Sequence, residues 1–214
     1  MQKFLSLIAM LTCSVHADTL ISYDDLYNKM TKLQQPEYSD ITLAFVLSSK
    51  QADQACRYVD FSLKSDIHHI PLTLSARGEI SLPYDEALKD SKALLVLQQV
   101  DNQQPCQLTL LLRSRMRLPS TLTQKQLTHY RGQFESLLHD FAGISKRWMP
   151  QISGVTLQFD NNNPHPDLTP AQQALTECSA MRCTLNLTNY NADDAEQWRF
   201  SQRPLYLMPA LQQE

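Results

Sequence analysis

Three arginines, Arg113, Arg115 and Arg117, alternate along one stretch of the chain, and their spacing makes them the best candidates for chemistry. In an extended strand, period two sets all three guanidinium groups on one face, about 7 Å apart. Such a ladder is unfavourable unless acids on a neighbouring strand or an anionic ligand compensate it. The ligand class that fits is a lipid phosphate or a glycan acid. The plainer alternative is a solvated sheet face whose arginines pair with Asp or Glu.

The other candidates are weaker. His68 and His69 fall between two strands, so their side chains diverge and cannot chelate one ion without a ligand from elsewhere. His129 and His139 flank the apolar stripe of a helix, and Glu135 with His139 is an ordinary surface pair four residues apart. Asp160, Asn162 and Asp167 have oxygen-rich spacing that suggests a calcium loop. An EF-hand needs glycine at its sixth position and glutamate at its twelfth, where this chain has His165 and Ala171. Turn chemistry is therefore expected there, and no metal site.

Only four glycines occur, Gly78, Gly132, Gly143 and Gly154. Phosphate-cradling loops and nucleophile elbows need glycine where the backbone approaches a ligand, and no GxGxxG, GxxxxGK or GxSxG is present. Nucleotide-dependent and α/β-hydrolase chemistry lose their support, no cofactor is expected, and no catalytic residue can be named. Acidic residues outnumber Lys and Arg, 22 to 19, which argues against a nucleic-acid binder.

Lys3 precedes an apolar run from Phe4 to about Ser14, and Val15 and Ala17 are the small residues a signal peptidase reads. Residues 1–17 are expected to be a cleaved leader too short for a permanent anchor. Residues 18–214 then form a single exported domain without a transmembrane anchor, located in the periplasm. Cys56, Cys106, Cys178 and Cys183 remain after cleavage and allow three pairings. Cys56–Cys106 with Cys178–Cys183 is favoured, because each bridge then lies within one half of the chain. The CSAMRC spacing of the second pair is wrong for a zinc cage or a redox CxxC.

The elements that must position these residues read as α+β. Ser22 followed by Asp24 and Asp25 marks a helix start, with Leu26, Tyr27, Met30 and Leu33 on one face until Pro36. Alternating runs follow at 41–47, 58–63, 70–74, 80–82, 94–97 and 106–117, with closely spaced turns that suggest an antiparallel meander. Thr123 with Gln126 is a capping box for the longest helix, whose apolar stripe runs from Leu127 through Phe134 and Leu137 to about Trp148. That helix is expected to lie across the meander and cover its core face. Strands near 155–159, 184–188 and 205–207 and a helical turn at 170–177 complete the reading.

The segments SYDDLYNKM, ITLAFVLSS, ACRYVDFSL, GEISLPYDEALK and PCQLTLLLRSR, with the leader before them, resemble one family. Its members are small exported proteins of marine-type gamma-proteobacteria, grouped only as a domain of unknown function. The likeness spans roughly Ser22 to Met149. It implies a periplasmic protein with a Cys56–Cys106 bridge and carries no catalytic residues. The expected function is non-enzymatic binding of a partner protein or envelope component, a lipid or a glycan, near the arginine ladder. The alternative is an envelope hydrolase whose site is assembled only in three dimensions.

Overall fold

Short alternating runs give this chain many small strands, and its pairings are made mostly between runs distant in sequence. The computed structural model describes residues 19–49, 56–100, 106–143, 151–161, 164–188, 190 and 193–212. The expected leader (1–17), the extension of the long helix through Ile144 and Trp148, and Asn162 lie outside the described residues.

The first half runs β1 (Thr19–Ser22), α1 (Tyr23–Lys32), a 3-10 turn (Pro36–Tyr38), β2 (Ile41–Ser49), β3 (Tyr58–Lys64) and β4 (His69–Pro71). It continues with β5 (Glu79–Ile80), α2 (Glu86–Asp90), β6 (Leu94–Gln99) and β7 (Cys106–Ser114). The second half runs β8 (Thr121–Thr123), α3 (Gln124–Ala142), β9 (Ile152–Gln158), β10 (Pro166–Asp167) and α4 (Pro170–Gln173). It ends with β11 (Thr176–Ser179), β12 (Arg182–Asn186), β13 (Gln197–Phe200) and β14 (Tyr206–Leu211).

These strands form four antiparallel sheets, ordered β1-β6-β3-β4, β5-β2-β7, β10-β13-β8 and β11-β12-β9-β14. The expectation of one meander covered by one long amphipathic helix is therefore incorrect. A meander would pair β2 with β3; instead β2 pairs β7 over nine residues and β3 pairs β6. The longest helix, α3, ends at Gly143 with φ +52° and packs its Leu127, Phe134 and Leu137 into the core built by the second-half strands. The protein is mostly sheet, with short helices filling between.

Two cores organise the sheets. One gathers Tyr23, Leu26, Phe45, Leu47, Phe61, Leu63, Leu95 and Leu97. The other gathers Ile41, Leu112, Leu127, Phe134, Val155, Leu157, Leu185, Trp198 and Leu207. The β2–β7 ribbon serves both: Phe45, Leu47 and Cys106 enter the first, Ile41 and Leu112 the second. Each such side chain contributes about 1.5–3 kcal/mol by leaving water. Trp198, fully buried, donates its indole N–H to Gln124 Oε1 at 2.9 Å, so its polar atom is satisfied within the second core.

The local signals that held are those carried by hydrogen bonds between neighbours. Thr123 accepts from Gln126 N at 3.2 Å while Gln126 Oε1 accepts from Thr123 N at 2.9 Å, closing the capping box. Ser22 stands at the N-cap of α1 without a side-chain cap bond, because it is also the last residue of β1, opposite Leu94. Gly154 has a stricter role: a Cβ there would overlap the Leu185 carbonyl where β9 and β12 pair. Disulfides join Cys56 to Cys106 and Cys178 to Cys183. The first ties the chain ahead of β3 to the start of β7, and the second crosses the β11–β12 hairpin at directly opposed residues.

Candidate functional site

Strand β7 stops at Ser114, so the three arginines do not form the expected ladder. The cause is local. Arg115 N still donates to Asp40 O at 2.7 Å, the next rung in the β2–β7 register, and the chain then bends at Arg115 and Met116, where Ser114 Oγ donates to Met116 O at 3.2 Å. The three guanidinium groups then go to three different places.

Arg113 lies in the strand and is four-fifths buried. Its Nη1 and Nη2 donate to the two oxygens of Glu79 at 2.7 and 3.0 Å, and its guanidinium sits over the Tyr206 ring at 4.9 Å. This is a bidentate pair, the strong form of such contacts. Arg115 turns to main chain and donates to the Ser39 and Ile41 carbonyls at 2.9 and 3.0 Å. It therefore supports the entry of β2. Arg117 crosses to the second half and donates to Asp160 Oδ2 at 3.2 Å.

The other oxygen of Asp160 is held by Arg77, also at 3.2 Å. Arg77 was not among the expected residues. It sits in the turn before β5, where Gly78 with φ +74° lets the chain reverse against Leu47. Arg77 and Arg117 are each more than half exposed. Tyr206, the ring beneath Arg113, stands opposite Gln158 of β9, and Gln158 stands opposite Arg182 of β12. Arg182 Nε donates to Gln158 Oε1 at 2.8 Å. Among the described residues Glu79 pairs with Arg113, Asp160 pairs with both Arg77 and Arg117, and Arg182 turns to the Gln158 amide.

A second constellation lies on α3. His129 Nε2 meets Asp40 Oδ2 at 3.0 Å, joining residues 89 apart in sequence. Gln133 Nε2 donates to the Glu37 carbonyl at 2.8 Å and lies 3.4 Å from the same Asp40 oxygen. Both contacts border an open groove of about 430 Å³ between α3, the 3-10 turn and Asp194. The periodicity that places His129 beside the apolar stripe carries no information about Asp40, which arrives from another part of the chain.

Cys178 and Cys183 serve the hairpin, and Asp160 serves the arginines. Among the described residues no group of three His, Cys, Asp or Glu side chains is placed to hold a metal ion. No described helix is long and apolar enough to cross a membrane.

No curated protein and no solved structure matches the chain. The family described as "Protein of unknown function (DUF2987)" matches residues 16–159. That match takes in every element from β1 through β9 and covers well over half of the sequence, so the chain belongs to this family.

Proposed function

We propose that the mature chain is an exported, non-enzymatic binding protein of the bacterial envelope, located in the periplasm as a single domain over residues 18–214. It holds an anionic envelope component at the corner formed by Arg77, Asp160 and Arg117. The observation that carries this reading is the sharing of one carboxylate by two exposed guanidinium groups. Each guanidinium keeps N–H donors for a phosphate or carboxylate arriving from solvent. The leader-like residues 1–17 and the two disulfides support an oxidising compartment outside the inner membrane. Of the three arginines expected from spacing, Arg117 is the binding residue, Arg113 stiffens the surface through Glu79, and Arg115 is structural.

The test is a photo-crosslinker at Met116, which is 71% exposed and directly precedes Arg117. Crosslinking in intact cells is expected to yield an adduct that disappears in the double variant R77S/R117S. An adduct unchanged in that variant, or none at all in cells that accumulate the folded protein, contradicts the assignment.

One observation favours the hydrolase reading, the His129–Asp40 contact, since a carboxylate-oriented imidazole is the usual general base. The imidazole Nε2 faces the Asp40 carboxylate rather than a serine, threonine or cysteine, so in this reading the pair would act as general base on a water.

A further inference from the structure

The groove along α3 has features that the fold itself does not use. Its floor is one helical stripe, Lys125, Thr128, His129, Gly132, Gln133 and Ser136, and its walls are Glu37 and Asp194. Gly132 sits inside a 19-residue helix, where glycine is a poorer helix former than alanine. A Cβ at that position would meet nothing within 4 Å, so no packing within this chain demands the glycine. Gln133 is only 8% exposed, and its Oε1 is buried without a hydrogen-bond partner while its amide nitrogen is occupied. A buried acceptor left so is costly unless a donor reaches it. Among the described residues the carboxylates of Glu37 and Asp194 take part in no ion pair, whereas Asp40 is paired with His129.

We infer that this groove binds a short extended peptide bearing a primary ammonium group. Gly132 lets the peptide backbone lie directly on the helix, as no other side chain would. The Gln133 Oε1 accepts a backbone N–H from the peptide after a small shift of the side chain. Glu37 and Asp194 receive the ammonium, and Lys125, at the N-terminal end of the groove, faces the ligand's carboxylate. The volume of about 430 Å³ suits a ligand of two or three residues. This site is separate from the arginine corner and stands or falls independently of it.

The test titrates the folded, isotope-labelled protein with the tripeptide Ala-Lys-Ala and with the same peptide acetylated on its two amines. Amide shifts at Gly132, Gln133 and His129 are expected, with a Kd of about 1 mM or tighter, and at least about tenfold weaker binding of the acetylated peptide. Gly132→Leu fills the groove from an exposed helix position and is expected to abolish the shifts while the thermal midpoint is retained. Glu37→Gln with Asp194→Asn is expected to weaken binding by about tenfold, which serves as the check if Gly132→Leu fails to fold. Equal binding of both peptides, or no shift at Gly132 with the tripeptide at about 10 mM, overturns the inference.

Discussion

Arg77 and Arg117 grip opposite oxygens of a single carboxylate, that of Asp160, at 3.2 Å each. Arg77 precedes a glycine turn in the first half of the chain, and Arg117 follows the bend that ends β7. All three side chains are well exposed, so the contact is screened by water and contributes little to folding. Asp160→Asn is therefore expected to change unfolding free energy by no more than about 0.5 kcal/mol in urea denaturation. A much larger loss would make the trio a structural clamp.

Two glycines make opposite predictions. Gly154→Ala drives a methyl group into the Leu185 carbonyl and should break the β9–β12 pairing, at a cost of about 3 kcal/mol or more. Gly132→Ala adds a methyl to an exposed helical position with open space and should stabilise by up to about 1 kcal/mol. Thermal and urea midpoints of the two variants check both signs.

The disulfides should differ in weight. Cys56 and Cys106 close a separation of 50 residues, for which chain entropy gives about 4 kcal/mol; Cys178 and Cys183 close 5, worth about 2 kcal/mol. Replacing each pair with serine and comparing unfolding free energies should reproduce that order. A larger loss from the hairpin pair would mean that native-state geometry outweighs loop entropy.

At alkaline pH two phenols, buried Tyr38 and half-buried Tyr190, weaken the fold. Burial, with Asp140 close to its hydroxyl, pushes Tyr38 up to about 12; burial and the Glu196 carboxylate, 2.6 Å from its hydroxyl, do the same for Tyr190. The unfolded chain ionises these groups near 10.0 while the folded chain keeps them neutral. Stability from both is thus whole below pH 10 and is lost as pH rises from 10 toward 12. Tyr38→Phe should flatten that decline, with phenolate absorbance and circular dichroism recorded together.

Much of the local structure was legible in the sequence, and most of the pairing was not. The alternation of Ile41 to Leu47 marks β2, and the Thr123–Gln126 box marks the start of α3, because both depend on near neighbours. The choice of β7 as the partner of β2 depends on complementary faces and loop paths that no local period encodes. The arginine ladder failed for a related reason. Period two holds only while the strand lasts, and the bend at Arg115 and Met116 ends it before the third arginine is reached. Asp160 and Arg77, which complete that corner, carry no signal linking them to Arg117. In the sequence Asp160 reads as a loop oxygen. Gly132 carries a readable signal, a glycine within a helical stripe, although the sequence alone gives it no role.

The most direct measurement is a salt-dependent titration of the folded protein, residues 18–214, onto vesicles of phosphatidylglycerol and phosphatidylcholine. The account predicts binding to the anionic vesicles that weakens steeply between about 50 and 200 mM salt, is lost in R77S/R117S, and tightens in Asp160→Asn as the internal competitor for the two cations is removed. Acidic glycans in place of the vesicles separate a lipid source of the anion from a saccharide one. If Asp160→Asn and R77S/R117S behave like the unaltered chain toward both anionic probes, Arg77 and Arg117 are not a binding site.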